Sequence, residues 1–265
     1  MAGDRAFPDK IAVFYIARGA DADADGRFSR FRDSYLAWDA GIPHELHLIY
    51  KGFSGRADLE KARETFAALD HQEVVLPDNG FDLGAYFSAA VRTDADIICC
   101  LNTSSQILGT DWLRKLYDNL RQPGIGMVAC SASYEAPQHA GETCEPFPNP
   151  HLRSNAFMID RELFVSLRGN AVFDSKLAAH MFEHGPDGLS RKVARRGLGL
   201  LLVGRNGRGY TPGWWARSDT FRQGAQLNLL ISDNQTKMFA DAAVEEKKML
   251  HRMAWGTGNL GQVLL

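Results

Sequence analysis

Short apolar runs alternate with stretches of helical period through the first half of the chain. Residues 11–16 are continuously apolar and are bounded by polar turns, which predicts a buried strand. A small acidic loop, 19–26, follows. Phe28, Phe31, Tyr35 and Trp38 then recur at three- and four-residue spacing and share one helix face, which predicts an aromatic stripe packed on the core. A strand at 45–50, a helix at 58–69 and a third strand at 74–76 complete a βαβαβ order. Pro77-Asp78-Asn79-Gly80 reads as a turn before helical character at 84–92 and a strand at 97–101. Beyond the polar loop 102–109, Thr110 is placed to cap a helix at 111–120, and 126–130 supplies a further strand. This alternation predicts an α/β fold with a Rossmann-like, mainly parallel central sheet flanked by helices.

The pattern changes after residue 133. A long, proline-rich segment, 134–150, has no period of its own, and such segments commonly border active sites. Behind it the half is mixed: a strand at 154–159, helices at 161–167, 175–183 and 189–196, an apolar run at 200–203, and a charged amphipathic helix at 237–255. With no repeat and no linker, the 265 residues are expected to form one domain made of two halves, 1–133 and 134–265.

Composition narrows the function classes. The chain is 23% charged and 45% hydrophobic, as globular proteins are, and its net charge of −2 supplies no field to hold a polyanion, so nucleic acid is not expected as partner. The opening MAGDRAFPDK has no apolar core of a signal sequence and no run is long enough to span a bilayer. The expectation is a cytoplasmic chain without a transmembrane segment, which leaves peripheral membrane association and oligomeric state open. Cys99, Cys100, Cys130 and Cys144 lack paired spacing and read as reduced thiols. Of eight histidines, His44 and His47 flank a strand and His139, His151, His180 and His184 read as scattered, so no zinc site is expected.

In open α/β sheets ligands gather at the carboxyl ends of strands. The first strand ends in Tyr15-Ile16-Ala17-Arg18 without the glycine-rich turn of a dinucleotide site, and neither a Walker A loop nor a G-x-S-x-G elbow occurs. The stretch 79–117, NGFDLGAYFSAAVRTDADIICCLNTSSQILGTDWLRKLY, instead resembles the inverting GT-A glycosyltransferases of family 2. Asn79, Gly80 and Gly84 match that family's turn into a helix, Asp94 to Asp96 its acidic turn before a strand, and Trp112 and Leu113 its following helix. The resemblance covers the first half well and the rest loosely.

The resemblance implies a GT-A-like fold, a nucleotide-sugar donor held by the first half, and an acceptor held by the second: a glycan, polysaccharide or lipid-linked molecule of cell-surface glycan synthesis. The donor is expected at strand ends lined by Tyr15, Arg18, Asp78, Asp82 and Asn102. Where the family carries its metal-binding Asp-x-Asp motif this chain has Asn102 and Ser104. Neutral amide and hydroxyl groups hold Mg²⁺ or Mn²⁺ far more weakly than carboxylates, so binding of the diphosphate without a metal is expected, with Asn102 and Ser104 bonding the donor directly. Capping of the next helix is the plainer reading of those two residues.

In the segment 182–197, FEHGPDGLSRKVARRG, Glu183 or Asp187 matches the family's catalytic base and Arg191 its helix arginine. Each also reads as an ordinary surface charge. In 204–236, Tyr210, Trp214 and Trp215 have the faces to stack on a sugar, and Arg208 and Arg217, with Arg18, Arg153 and Arg191, the charge to offset a diphosphate. Paired tryptophans are equally common in cores. Asp233 and Asn234 belong to a polar cluster with Gln223, Gln226 and Gln235. Two other classes compete with the transferase: a non-catalytic module that binds nucleotide or glycan or scaffolds a partner, and a nucleotidyltransferase, which would need a basic glycine-rich loop near its start.

Overall fold

The computed structural model describes residues 9–139 and 143–257. The segment read for targeting lies outside these at residues 1–8, as does part of the proline-rich loop at 140–142.

The first half forms β1 (Ile11–Arg18), α1 (Ala24–Ala37), β2 (Glu45–Lys51), α2 (Arg56–Phe66), β3 (Gln72–Val75), α3 (Phe81–Ala90) and β4 (Ile97–Leu101). It continues through β5 (Gln106–Ile107), α4 (Trp112–Leu120), β6 (Ile125–Ala129) and β7 (Ala132–Ser133). The second half contains β8 (His151–Leu152), β9 (Ala156–Asp160), α5 (Arg161–Leu167), α6 (Lys176–His184), α7 (Leu189–Ala194) and β10 (Gly199–Val203). Then come β11 (Gly209–Tyr210), a 3-10 turn at Pro212–Arg217, β12 (Ile231–Ser232), α8 (Asn234–Asp241) and α9 (Val244–Trp255).

Eight strands make one sheet in the order β11-β10-β6-β9-β4-β1-β2-β3. It is mainly parallel, and β9 runs antiparallel between β4 and β6. The continuous apolar run of β1 serves two cores, because alternate side chains leave a strand on opposite faces. Phe14 and Ile16 join the layer of Leu83, Phe87, Phe164 and Phe182, while Val13 and Tyr15 join that of Phe28, Phe31, Phe66 and Trp112. The predicted aromatic stripe of α1 accordingly points inward: Phe28 and Phe31 are buried, and Tyr35 and Trp38 pack at the edge of the same core. Among the described residues no helix is long and apolar enough to cross a membrane.

Three local expectations are corrected. The loop 102–109 contains β5, whose antiparallel partner β12 pairs Ile107 with Ile231 in a separate two-stranded sheet and so brings a distant part of the chain beside the loop after β4. A two-residue strand has no period to read, and its partner is remote in sequence. The helix cap expected at Thr110 falls on Asp111, which sits in the left-handed region at φ 54° and makes no side-chain cap bond. Its backbone N–H donates to the Asp39 carbonyl at 2.7 Å, which ties the start of α4 to the end of α1. The single helix expected at 237–255 is broken at Ala242 and Ala243, both extended, and the second piece begins with Glu245 and Glu246 on its positive end.

Candidate active site

The strands β1 and β2 end in register, Arg18 opposite Lys51, so two cations emerge side by side at the carboxyl edge of the sheet. Asp78, in the turn before α3, holds both. Arg18 donates to it from Nε at 2.9 Å and Nη2 at 2.7 Å, and Lys51 Nζ lies 3.5 Å from Oδ1. Lys51 is buried and also donates to the carbonyls of Asn79 and Phe81 at 2.9 and 3.1 Å. Burial lowers its pKa, against the pull of Asp78 and Asp82. Hydrogen bonding to Arg18 is the chief cause that lowers the pKa of Asp78.

The turn itself depends on glycine. Gly80 has φ 72°, and a β-carbon there would meet the Gly84 Cα at 3.2 Å. Phe81 follows at φ 51°, a conformation that costs about 1–3 kcal/mol in a residue other than glycine and is concentrated at ligand sites. Asp82 stands in the first turn of α3. Burial pushes its pKa up to about 6, with Asp21 and Glu183 adding to the rise and Lys51 and Arg18 opposing it.

These groups line a cleft of ≈ 640 Å³ whose other walls are Asp21, Arg27, Asn102, Ser104, Phe173, Asp174, Lys176 and Asn234. The volume suits a small-molecule ligand. Asp21 bridges Arg18 at 2.6 Å and Arg27 at 3.3 Å, and Arg27 donates to Ser104 Oγ at 3.0 Å. A second cavity of ≈ 650 Å³ adjoins the first across Arg27, Ser104 and Asn234 and reaches Gln106, Gln226 and Asp233.

Six of the residues singled out in the sequence meet in the cleft: Arg18, Asp78, Asp82, Asn102, Ser104 and Asn234. Tyr15 does not; it is fully buried, stacked on Phe31 at 3.6 Å, with its hydroxyl donating to the Thr103 carbonyl at 2.9 Å. Asp233 lines the adjoining cavity, caps α8 through the Thr236 N–H at 2.8 Å and pairs with Arg153 at 2.8 Å. Glu183, near the end of α6, accepts the Ser154 N–H at 2.7 Å. Burial pushes the Glu183 pKa up, but His151, that N–H and Arg153 outweigh it and the net direction is down.

The other candidates lie apart from the cleft. Asp187 is exposed and pairs with Arg195 at 2.6 Å and Lys192 at 3.2 Å, and Arg191 pairs with Glu145 at 2.8 Å. Arg208, Tyr210, Trp214 and Trp215 sit by β11, at the opposite edge of the sheet from β3. Trp215 is buried with its Nε1 donating to the Tyr210 carbonyl at 2.8 Å, whereas Trp214 is 52% exposed beneath Arg217. The sequence reading missed Asp21, Arg27 and Lys51. Lys51 was legible as the cation that ends an apolar run. The view of the histidines is also corrected: His180 and His184 are one turn apart on α6, and His139 folds back to them.

The strand order, with an antiparallel strand set into a parallel sheet and the cleft at the β1, β2 and β4 ends, is the GT-A type glycosyltransferase fold. The structure resembles the mannosyltransferase PcManGT of Pyrobaculum calidifontis, solved with GDP-Man and Mn²⁺, at 14% identity and a TM-score of 0.51 over 74% of this chain and 55% of that one. This chain therefore spans little more than half the length of that protein. Looser likenesses are to 4-diphosphocytidyl-2C-methyl-D-erythritol synthase of Anaerococcus prevotii (11% identity, TM-score 0.46, 66% of this chain and 83% of that one). Another is to glucosyl-3-phosphoglycerate synthase of Mycobacterium tuberculosis with Mn²⁺, UDP and phosphoglyceric acid (16%, 0.39, 59% and 57%). No protein-family model matches the sequence, and no curated protein does.

The side chains after β4 do not fit the divalent ion that the resemblance implies. Asn102 Oδ1 already accepts the Ser104 N–H and the Ser105 hydroxyl, both at 3.1 Å, and Ser104 Oγ faces the Arg27 guanidinium. A cation there would meet a positive neighbour and oxygens already engaged.

Proposed function

We propose that the chain is a glycosyltransferase that holds a nucleotide-sugar in the cleft and passes its sugar to a hydroxyl of a glycan, polysaccharide or lipid-linked acceptor. The observation that carries this reading is the in-register pair Arg18 and Lys51 at the ends of β1 and β2, braced by Asp78 and joined by Arg27. As the sugar leaves, negative charge grows on the diphosphate, and fixed cations in a half-enclosed cleft stabilise it without a metal. Asp82, Asn102, Ser104 and Asn234 supply the polar contacts to ribose and sugar.

Glu183 is the base of this proposal. One carboxylate oxygen is fixed by the Ser154 N–H and the group is held ionised, so the other oxygen is available to take the acceptor's proton. The acceptor oxygen then attacks the anomeric carbon, and the bond to the diphosphate breaks with its electron pair going to the leaving group.

A thermal-shift screen of UDP-, GDP-, CMP- and dTDP-sugars, followed by measurement of released nucleotide with candidate acceptors, tests the reading. A donor at a hundredfold excess over its Kd stabilises by about 2.7 kcal/mol, or roughly 5–10 °C for a chain of this size. No shift with any donor would contradict the proposal. Binding without turnover would favour the non-catalytic module.

A further inference from the structure

His180 and His184 stand one turn apart on α6 with Glu183 between them, the H-x-x-E-H spacing that places two imidazoles on one helix face and is used to hold zinc. His139, beyond β7, closes on them. Its ring centre is 5.8 Å from that of His180 and 5.9 Å from that of His184, and those two are 5.7 Å apart. One nitrogen from each of the three rings lies within 4.8 Å of the others. His139 Nε2 is buried without a hydrogen-bond partner among the described residues, which is unfavourable unless something engages it. The backbone N–H of His139 donates to Cys144 Sγ at 3.2 Å.

We propose that His139, His180 and His184 bind one first-row transition-metal ion, zinc above all, and that the ion ties the segment after β7 to α6. Zinc–nitrogen bonds of about 2.0–2.1 Å in tetrahedral geometry put the three nitrogens roughly 3.3 Å apart. Side-chain rotations of about 1.5 Å or less close the present arrangement to that. Water completes the tetrahedron. Three imidazoles select zinc, nickel or copper over magnesium and calcium, which prefer oxygen. Burial lowers the pKa of His180 and takes that of His184 down to about 4, so both rings are in the neutral form that ligates. None of the three lines the donor cleft, whose walls offer oxygens and cations instead.

The test is titration of the chelator-stripped full chain with Zn²⁺ against a chromophoric competing chelator. The same titration is run on His139→Gln, His180→Gln, His184→Gln and, as control, His71→Gln. One equivalent is expected in the wild type and the control. Each cluster variant is expected to bind at least ~100-fold more weakly, since outer-shell partners alone are worth 10–100-fold. Far-UV circular dichroism checks the folding of each variant, and His139 lies outside every helix and strand, so that variant keeps the test open if a substitution on α6 disturbs folding. Zinc is also expected to slow proteolysis after β7 in the wild type but not in His139→Gln. No stoichiometric binding by the wild type, or one equivalent that survives His139→Gln and His184→Gln undiminished, would overturn the proposal.

Discussion

Replacing Asp82 by Asn is expected to stabilise the protein at neutral pH while weakening donor binding. Asp82 accepts no hydrogen bond among the described residues, and burial lifts its pKa from the ordinary 3.8 to about 6. A rise of about two units at 1.36 kcal/mol each makes the ionised form cost the native state up to ~3 kcal/mol. The sign follows from proton linkage: the folded state holds this proton more tightly than the unfolded chain, so stability from this site falls as pH rises from about 4 to about 6 and stays low above that. Asn keeps the shape and removes the charge, and the lost attraction to Lys51 offsets part of the gain. The variant is expected to gain about 1–3 kcal/mol at pH 7.5 and almost nothing at pH 4. Urea unfolding of both proteins at the two pH values measures the difference directly. A stability gain coupled to at least ~10-fold weaker donor binding is the pattern of a residue kept for function. An equal difference at both pH values, or a loss at pH 7.5, would refute the reasoning.

Four further substitutions separate chemistry from scaffolding. Glu183→Gln should lower kcat by about 10²–10⁴ and leave donor Kd within twofold, as loss of a general base does; loss of both, or full activity, would remove Glu183 from that role. Asp233→Ala breaks the buried pair with Arg153 and the α8 cap, and should cost about 3–5 kcal/mol in urea unfolding, with a loss under 1 kcal/mol counting against it. Trp215→Ala should cost about 3–5 kcal/mol and Trp214→Ala under about 0.5 kcal/mol, neither changing donor affinity directly; tighter dependence of binding on Trp214 would return the β11 edge to the site.

The sheet was legible because each buried strand of the first half is a short apolar run between turns, and the period changes visibly at each helix. The ends of those strands carried Arg18, Asp78 and Asn102 into view. Lys51 was passed over because one lysine beside an aromatic strand reads as a solvated end, and only the fold shows it buried between Asp78 and the carbonyls of Asn79 and Phe81. The stretch from Arg208 to Trp215 looked suited to a sugar by residue type. Residue type does not say which sheet edge a loop joins, and β11 pairs with β10, far from β1. His180 and His184 were readable as an i, i+4 pair once 175–183 was seen as helical, but the third ring needs the return of a loop about forty residues upstream, which no local pattern encodes.

Whether a diphosphate rests on Arg18, Lys51 and Arg27 is the central claim, and calorimetric titration in excess chelator tests it most directly. The nucleotide-sugar found in the screen is titrated into the wild type, Arg18→Gln and Arg27→Gln. Hydrogen bonds to charged groups are worth about 1.5–3 kcal/mol, so each variant should bind roughly 10- to 100-fold more weakly while the wild type binds as well with chelator as with added manganese. Wild-type affinity in both variants, or binding that disappears with the metal, would contradict the account.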